Sequence, residues 1–266
     1  MDKAVKKQNY SAPALEKGLD IIELLSDQET GLSQSEIARA LGRSVSEIFR
    51  MLVVLMERGY VAQEPLSDRY VLTTFLFEIS HRIPKIRRLT AFAGPLMRAM
   101  VNAVKQSSHL AILTTDSVLV VGQVDSPGIN NMTVRLGAKI DLWSTSSGRV
   151  ILAHLPDDEV GEYFKSVPLP ADMSEESVRR DLRKIRDKGH EVRDSFVVRG
   201  VVNVAAPVMD HSGRAVAALT VPHIEKYHDP ITFEDCRLEL IRTAAELTKS
   251  LGGGAYLQGV SQAEAE

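Results

Sequence analysis

Apolar residues in the first sixty positions recur at helical spacing. Over residues 12–26, Leu15, Leu19, Ile22 and the Leu24–Leu25 pair form one stripe, and Glu16, Lys17, Asp20 and Glu23 fill the polar side. This pattern predicts an amphipathic helix. After a turn at 27–31, Ser33-Gln-Ser-Glu36 has the form of a capping box, in which the serine and glutamate side chains each bond the other residue's backbone N–H. A second helix to about Leu41 follows, with Ile37, Ala38 and Leu41 inward. Gly42-Arg43 breaks the chain. Ser44-Val-Ser-Glu47 repeats the capping pattern and predicts a third helix to about Arg58, with Ile48, Met51, Leu52 and Leu55 as its buried stripe. Gly59 stops it, because glycine tolerates a left-handed backbone. Tyr60 to Leu72 carries Tyr and Val at both ends of a Pro-Leu-Ser-Asp turn, which predicts a short β-hairpin. Residues 11–73 thus form a first domain of three helices and a hairpin.

Helical spacing returns over 74–106, with no Gly/Ser-rich stretch, so a rigid helical linker is expected rather than a flexible one. One helix holds Leu76, Phe77 and Ile79 and ends at Pro84. The next begins between Ile86 and Pro95 and runs to about Lys105. From His109 the period changes to two. Leu110, Ile112, Val118, Val120 and Val124 predict two strands around Thr115-Asp116. Helices are expected at 158–164 and 175–188, and strands at 201–209 and 215–221, joined by a turn at 210–213. A last helix starts at Thr232, capped through Asp235, and ends before Gly252. Strands and helices alternate without a βαβ rhythm. Residues 107–252 therefore read as an α+β domain with a mixed or antiparallel sheet.

Composition narrows the function. The one cysteine, Cys236, excludes an intramolecular disulfide and a cysteine-based zinc cluster and suits a reducing cytoplasm. Beside Phe233 and Leu240 it reads as a small buried hydrophobe. No apolar run approaches the roughly 20 residues that cross a bilayer. Residues 1–9 are polar and lysine-rich, a short tail rather than a signal peptide, and the chain after Leu257 is expected to fray. The net charge is −3, but residues 1–90 carry 13 Lys/Arg against 12 Asp/Glu. Arg39, Arg43, Arg50 and Arg58 fall within twenty residues, a local positive face of the kind a DNA reader needs.

Catalytic patterns are missing. There is no Gly-x-Ser-x-Gly elbow and no Gly-x-Gly-x-x-Gly loop. His223 and His228 stand five apart, so they do not share a helix face as a metal pair would, and Asp125-Ser-Pro127 is a turn. The expectation is a protein that is not an enzyme and carries no cofactor or metal.

Three helices with a tight turn between the second and third, followed by a hairpin, form a winged helix-turn-helix. Its third helix would enter the major groove. Ser44, Ser46, Glu47 and Arg50 are the polar residues of that helix's first half. Arg50 can reach a guanine or a phosphate, and Ser46 a phosphate. Glu47 either accepts from a cytosine or is taken up in capping. Arg39 and Arg43 suit phosphates, and Arg69 in the wing suits a phosphate or the minor groove. The pattern alone also admits a winged-helix protein-interaction module or a small-molecule sensor that does not bind DNA. In the second domain, Thr145-Ser-Ser-Gly148 offers hydroxyls beside a glycine. It reads either as a helix cap or as a carboxylate cradle. Arg149 and Arg193 would add charge, and Ile129, Met132 and Trp143 an apolar wall. Such a site suits a small organic metabolite, acidic or aromatic.

The chain resembles the IclR family of bacterial transcriptional regulators. The likeness rests on ALEKGLDIIELL at 14–25, LSQSEIARALG at 32–42 and IFRMLVVLMERGYV at 48–61. It continues in TSSGRVILAHLP at 145–156 and GVVNVAAPVMDHSGRAVAALTV at 200–221. The resemblance implies a winged helix, helical linker and GAF-like effector domain. It implies double-stranded DNA with a palindromic operator and a small-molecule effector as partners, and a homodimer or dimer of dimers, with no membrane. Ser46 and Arg50 would fall on the recognition helix. Ile129, Met132, Ser146, Ser147, Arg193, Asp194, Asn203, Thr220 and Pro222 would line the effector pocket. Where the family often has Pro-Lys before the recognition helix, this chain has Ser44-Val45. Its segment before Gly200 lacks acidic residues from 195 to 199, and the usual Gly-Lys is Gly148-Arg149.

Overall fold

A computed structural model describes residues 11–129, 131–227 and 230–253. The readings of residues 1–9, of His228 and of the chain after Leu257 lie outside it. The chain divides into two compact units, 1–84 and 85–266.

The first unit comprises α1 (Pro13–Ser26), α2 (Gln34–Ala40), α3 (Val45–Glu57), the antiparallel strands β1 (Val61–Gln63) and β2 (Tyr70–Leu72), and α4 (Phe75–His81). Capping boxes at Ser33 and Ser44 start α2 and α3. Each satisfies donors that the first helical turn leaves without partners. Gly59, at φ +78°, makes the left-handed step out of α3. Ile21, Leu25, Ile37, Ile48, Leu52, Leu55, Val61 and Tyr70 form one core, and Met51 packs half-buried at its edge. Tyr60 and Phe75 meet edge to face at 5.0 Å, which ties α4 to the base of the hairpin.

The second unit holds α5 (Pro84–Val104), β3 (Ser108–Leu113), β4 (Val118–Val124), β5 (Lys139–Ile140), α6 (Ser146–Ala153), α7 (Asp157–Ser166), α8 (Glu175–Lys188), β6 (Glu191–Asp194), β7 (Val201–Met209), β8 (Ala215–Ile224) and α9 (Phe233–Ser250). The strands lie in the order β5-β4-β3-β8-β7-β6, antiparallel throughout. Alternate residues face opposite sides. Leu110, Val204, Ala206, Val208, Leu219 and Val221 meet Met97, Met100 and Val101 of α5 and Leu240 and Leu247 of α9. On the other side Ala111, Ala205 and Ala218 meet α6, α7 and α8. The small residues on that side let α6 lie close to the sheet.

The helix boundaries around Pro84 differ from the sequence expectation. α4 ends at His81, and Pro84 opens α5 instead of merely ending its predecessor. The first helical position needs no N–H, and proline's fixed φ suits it. α5 then runs unbroken through Pro95, which is exposed. Strands β5 and β6 had no alternating pattern long enough to predict them. Among the described residues no helix is long and apolar enough to cross a membrane.

Candidate functional site

Among the described residues, the candidate polar groups gather at two places. The first is the outer face of α3. The core takes Ile48, Leu52 and Leu55, which leaves Ser46, Phe49 and Arg50 exposed. Among the described residues no carboxylate pairs with Arg50. Arg39 is likewise exposed, and Arg43 stands 4.0 Å from Asp20, a loose surface pair. These three guanidiniums are available to an anionic partner.

Glu47 is committed within the unit. Its carboxylate accepts from the Ser44 backbone N–H at 3.1 Å and the Ser44 hydroxyl at 2.7 Å, and Lys17 Nζ lies 2.6 Å away. The Lys17 and Ser44 hydrogen bonds hold its carboxyl down to about 2. Of the two roles open to Glu47, capping is the one its geometry serves. Ser44 is committed to the same cap. Arg69 is also turned inward: it donates to the Gly31 carbonyl at 2.9 Å and pairs with Glu36 at 3.1 Å. It fastens the wing to the start of α2.

The second surface is the α6 side of the sheet. Asp141 starts it by accepting the backbone N–H groups of Trp143 at 3.0 Å and Ser144 at 2.6 Å. Thr145 caps α6, accepting from Gly148 N–H at 3.2 Å. A side chain at Gly148 would overlap the Leu142 carbonyl, so glycine lets the helix start pass close over the preceding turn. The buried hydroxyl of Ser147 then reaches Thr220 Oγ1 at 2.9 Å and His109 Nε2 at 3.2 Å. His109 and Thr220 are adjacent because β3 and β8 pair at that register. His109 Nδ1 is buried without a protein partner, and burial pushes the imidazole down to about 4, so the ring is neutral at pH 7.

Two positions further along the strands, Pro222, Asn203 and Arg193 stand side by side across β8, β7 and β6. By strand alternation they share the face of Thr220. Arg193 Nη1 is buried and unpartnered. The register thus sets Thr220, Pro222, Asn203 and Arg193 on one face of the sheet, with Ser147 bonded to Thr220 and Ser146 buried at the helix start.

The other candidates fall elsewhere. Asp194 alternates away from Arg193 and is exposed. Ile129 is fully exposed and Met132 half-buried. Trp143 is a core residue, stacked on Phe164 at 4.6 Å, with the Arg179 guanidinium 4.7 Å from that Phe164 ring. Arg149 is buried against Glu191 at 2.7 Å and Asp181 at 3.0 Å, so its charge is already matched. A cavity of about 410 Å³ lies on the opposite side of the sheet, among Val202, His223, Lys226 and Phe233. It touches none of the polar groups around Ser147.

Sequence reasoning passed over His109 and Phe49. A lone polar residue in the run His109-Leu-Ala-Ile-Leu was the available signal for the first. For the second it was a large apolar side chain off the helix's buried stripe.

Comparison with known proteins finds relatives for both units. Residues 14–65 match the model of the IclR helix-turn-helix domain, and residues 84–248 the model described as bacterial transcriptional regulator IclR C-terminal. The chain is 30% identical over 221 residues to the HTH-type transcriptional regulator KdgR of Escherichia coli, covering 81% of this chain and 83% of the relative. The IclR crystal structure of Thermotoga maritima superposes with a TM-score of 0.73 at 28% identity, covering 90% of this chain and 98% of that one. A Microbacterium hydrocarbonoxydans IclR homolog complexed with 4-hydroxybenzoate gives 0.76 at 21% identity, over 90% and 98% of the two chains, a likeness of fold.

Proposed function

Given that the chain belongs to the IclR family of bacterial transcriptional regulators, we propose how its residues divide the work of a DNA-binding regulator governed by a metabolite. The outer face of α3 reads a palindromic operator as part of a homodimer, with Arg50 and Ser46 at the DNA. Arg39 and Arg43 neutralise phosphates. The protein acts in the cytoplasm, where operator DNA is, and its role is regulatory rather than catalytic.

The effector occupies the α6 side of the sheet. One observation carries this reading: a buried Arg193 Nη1 and a buried His109 Nδ1, both without protein partners, share a face with Ser147 and Thr220. Unpartnered buried polar atoms are costly unless a ligand or water completes them. The cationic Arg193 donor and the N-terminal end of α6 favour a carboxylate. Neutral His109 and the Ser147 and Thr220 hydroxyls favour a hydroxyl or carbonyl on the same molecule. The ligand is a small hydroxy- or oxo-substituted organic acid.

Binding alone does not regulate. The acid must bind the DNA-competent and DNA-incompetent states with different affinity. α5 is the element placed to respond, because it packs on the opposite side of the same sheet. The test is a thermal-shift panel of small carboxylic acids on the full chain, followed by calorimetry of the best binder. Ser147→Ala and Arg193→Gln should each weaken that binder about tenfold or more. Wild-type affinity in both variants would remove this face from the pocket.

A further inference from the structure

The outer face of α3 carries an aromatic ring that the fold does not need. Phe49 is 49% exposed, while Ile48, Leu52 and Leu55 already supply the helix's part of the core. Phe49 lies three residues after Ser46 and four before Val53, a spacing that sets all three on one helix face, and Arg50 is its neighbour in the chain. Val45, at the helix start, is also half exposed. The face that meets DNA is therefore mixed, with one guanidinium, one hydroxyl and a large apolar surface.

A phenyl ring has no donor for a phosphate or for a guanine or adenine edge. The major groove offers one apolar feature on a base edge, the C5-methyl of thymine. We propose that Phe49 is a specificity-determining residue that reads thymine methyl groups beside the base or phosphate held by Arg50. The two side chains then have separate roles. Arg50 supplies charge and hydrogen bonds, and Phe49 buries a methyl. Removing one methyl from water is worth about a fourfold change in affinity. This inference rests on the reading that the outer face of α3 meets DNA.

The test uses a duplex enriched from a random library by the full chain, then remade with deoxyuridine for each thymidine in turn. Uracil keeps every hydrogen-bonding group of thymine and lacks only the methyl. At one or more positions per half-site, the wild-type chain should bind the deoxyuridine duplex about fourfold more weakly. Phe49→Ala should lose that difference, and Phe49→Leu should keep part of it. Arg50→Ala should weaken binding to the thymidine and deoxyuridine duplexes alike. Circular dichroism melting of each variant checks the fold.

If deoxyuridine costs the wild-type chain nothing anywhere, Phe49 reads no methyl. If Phe49→Ala retains the discrimination, another residue reads it. If that variant weakens both duplexes equally, or changes only the sedimentation of the free protein, Phe49 positions DNA or joins two copies, and the proposal is wrong. If Arg50→Ala changes neither duplex, the assignment of this face to DNA falls with it. If Arg50→Ala weakens both and Phe49→Ala neither, only the methyl reading falls.

Discussion

Arg50 and Glu47 lie three residues apart in one helix, yet their surroundings give them different work. Arg50 is exposed with no carboxylate paired to it among the described residues. Glu47 is bound to its own cap and to Lys17. Arg50→Ala should cost about 1–3 kcal/mol of binding to a selected duplex if the contact is to a base. Anisotropy titrations against the selected and a scrambled duplex check this, and an equal loss on both would mark a phosphate contact instead. In the second unit, Gly148→Ala should destabilise the chain by about 1–3 kcal/mol, because the new methyl meets the Leu142 carbonyl, which is backbone and cannot step aside. A urea midpoint unchanged from wild type would contradict that close approach. The serine-based caps and the glycine at 148 were legible in the sequence because each acts within a few residues. The inward turn of Arg69 was not, since its partners Gly31 and Glu36 lie more than thirty residues away.

At the scale of elements, the first unit was legible almost helix by helix. Its stripes and caps are local, and the hairpin follows from a turn between two short β-prone runs. The proposed ligand face was not legible in the same way. His109, Ser147 and Thr220 meet only because β3 pairs with β8 and α6 crosses above them, and no local pattern sets that register. The buried imidazole has a measurable consequence. The folded chain holds His109 neutral down to about pH 4, whereas an unfolded chain protonates it near 6.5. The unfolded state then binds more protons, so stability is full above pH 6.5 and falls as pH drops toward 4. Urea midpoints of the wild type should therefore fall more between pH 7 and 5 than those of His109→Gln. His154 and His190, also held down by burial, are common to both proteins and cancel in the difference. Equal losses would mean that the ring is not held neutral.

At the scale of the whole molecule, the proposed palindromic operator calls for two copies, because one winged helix covers only a half-site. Sedimentation at micromolar concentration should give a species of at least twice the 29.3 kDa chain mass. A 29.3 kDa species that still binds the palindrome cooperatively would contradict a preformed dimer. The chain's −3 charge does not oppose DNA binding, because a local positive face suffices, and Arg39, Arg43 and Arg50 are exposed on the first unit. Affinity should fall steeply with salt in proportion to the phosphates neutralised. On the proposed function, occupancy of the α6 face should change how the α3 face binds DNA. The most direct test is an anisotropy titration of the selected duplex by the full chain, with and without a saturating concentration of the best acid from the panel. DNA affinity should change about 5- to 150-fold, the range expected for a coupling of about 1–3 kcal/mol. Ser147→Ala with Arg193→Gln should abolish the change and leave ligand-free binding intact. An acid shown by calorimetry to be bound, with DNA affinity the same in its presence and absence, would contradict the proposed function.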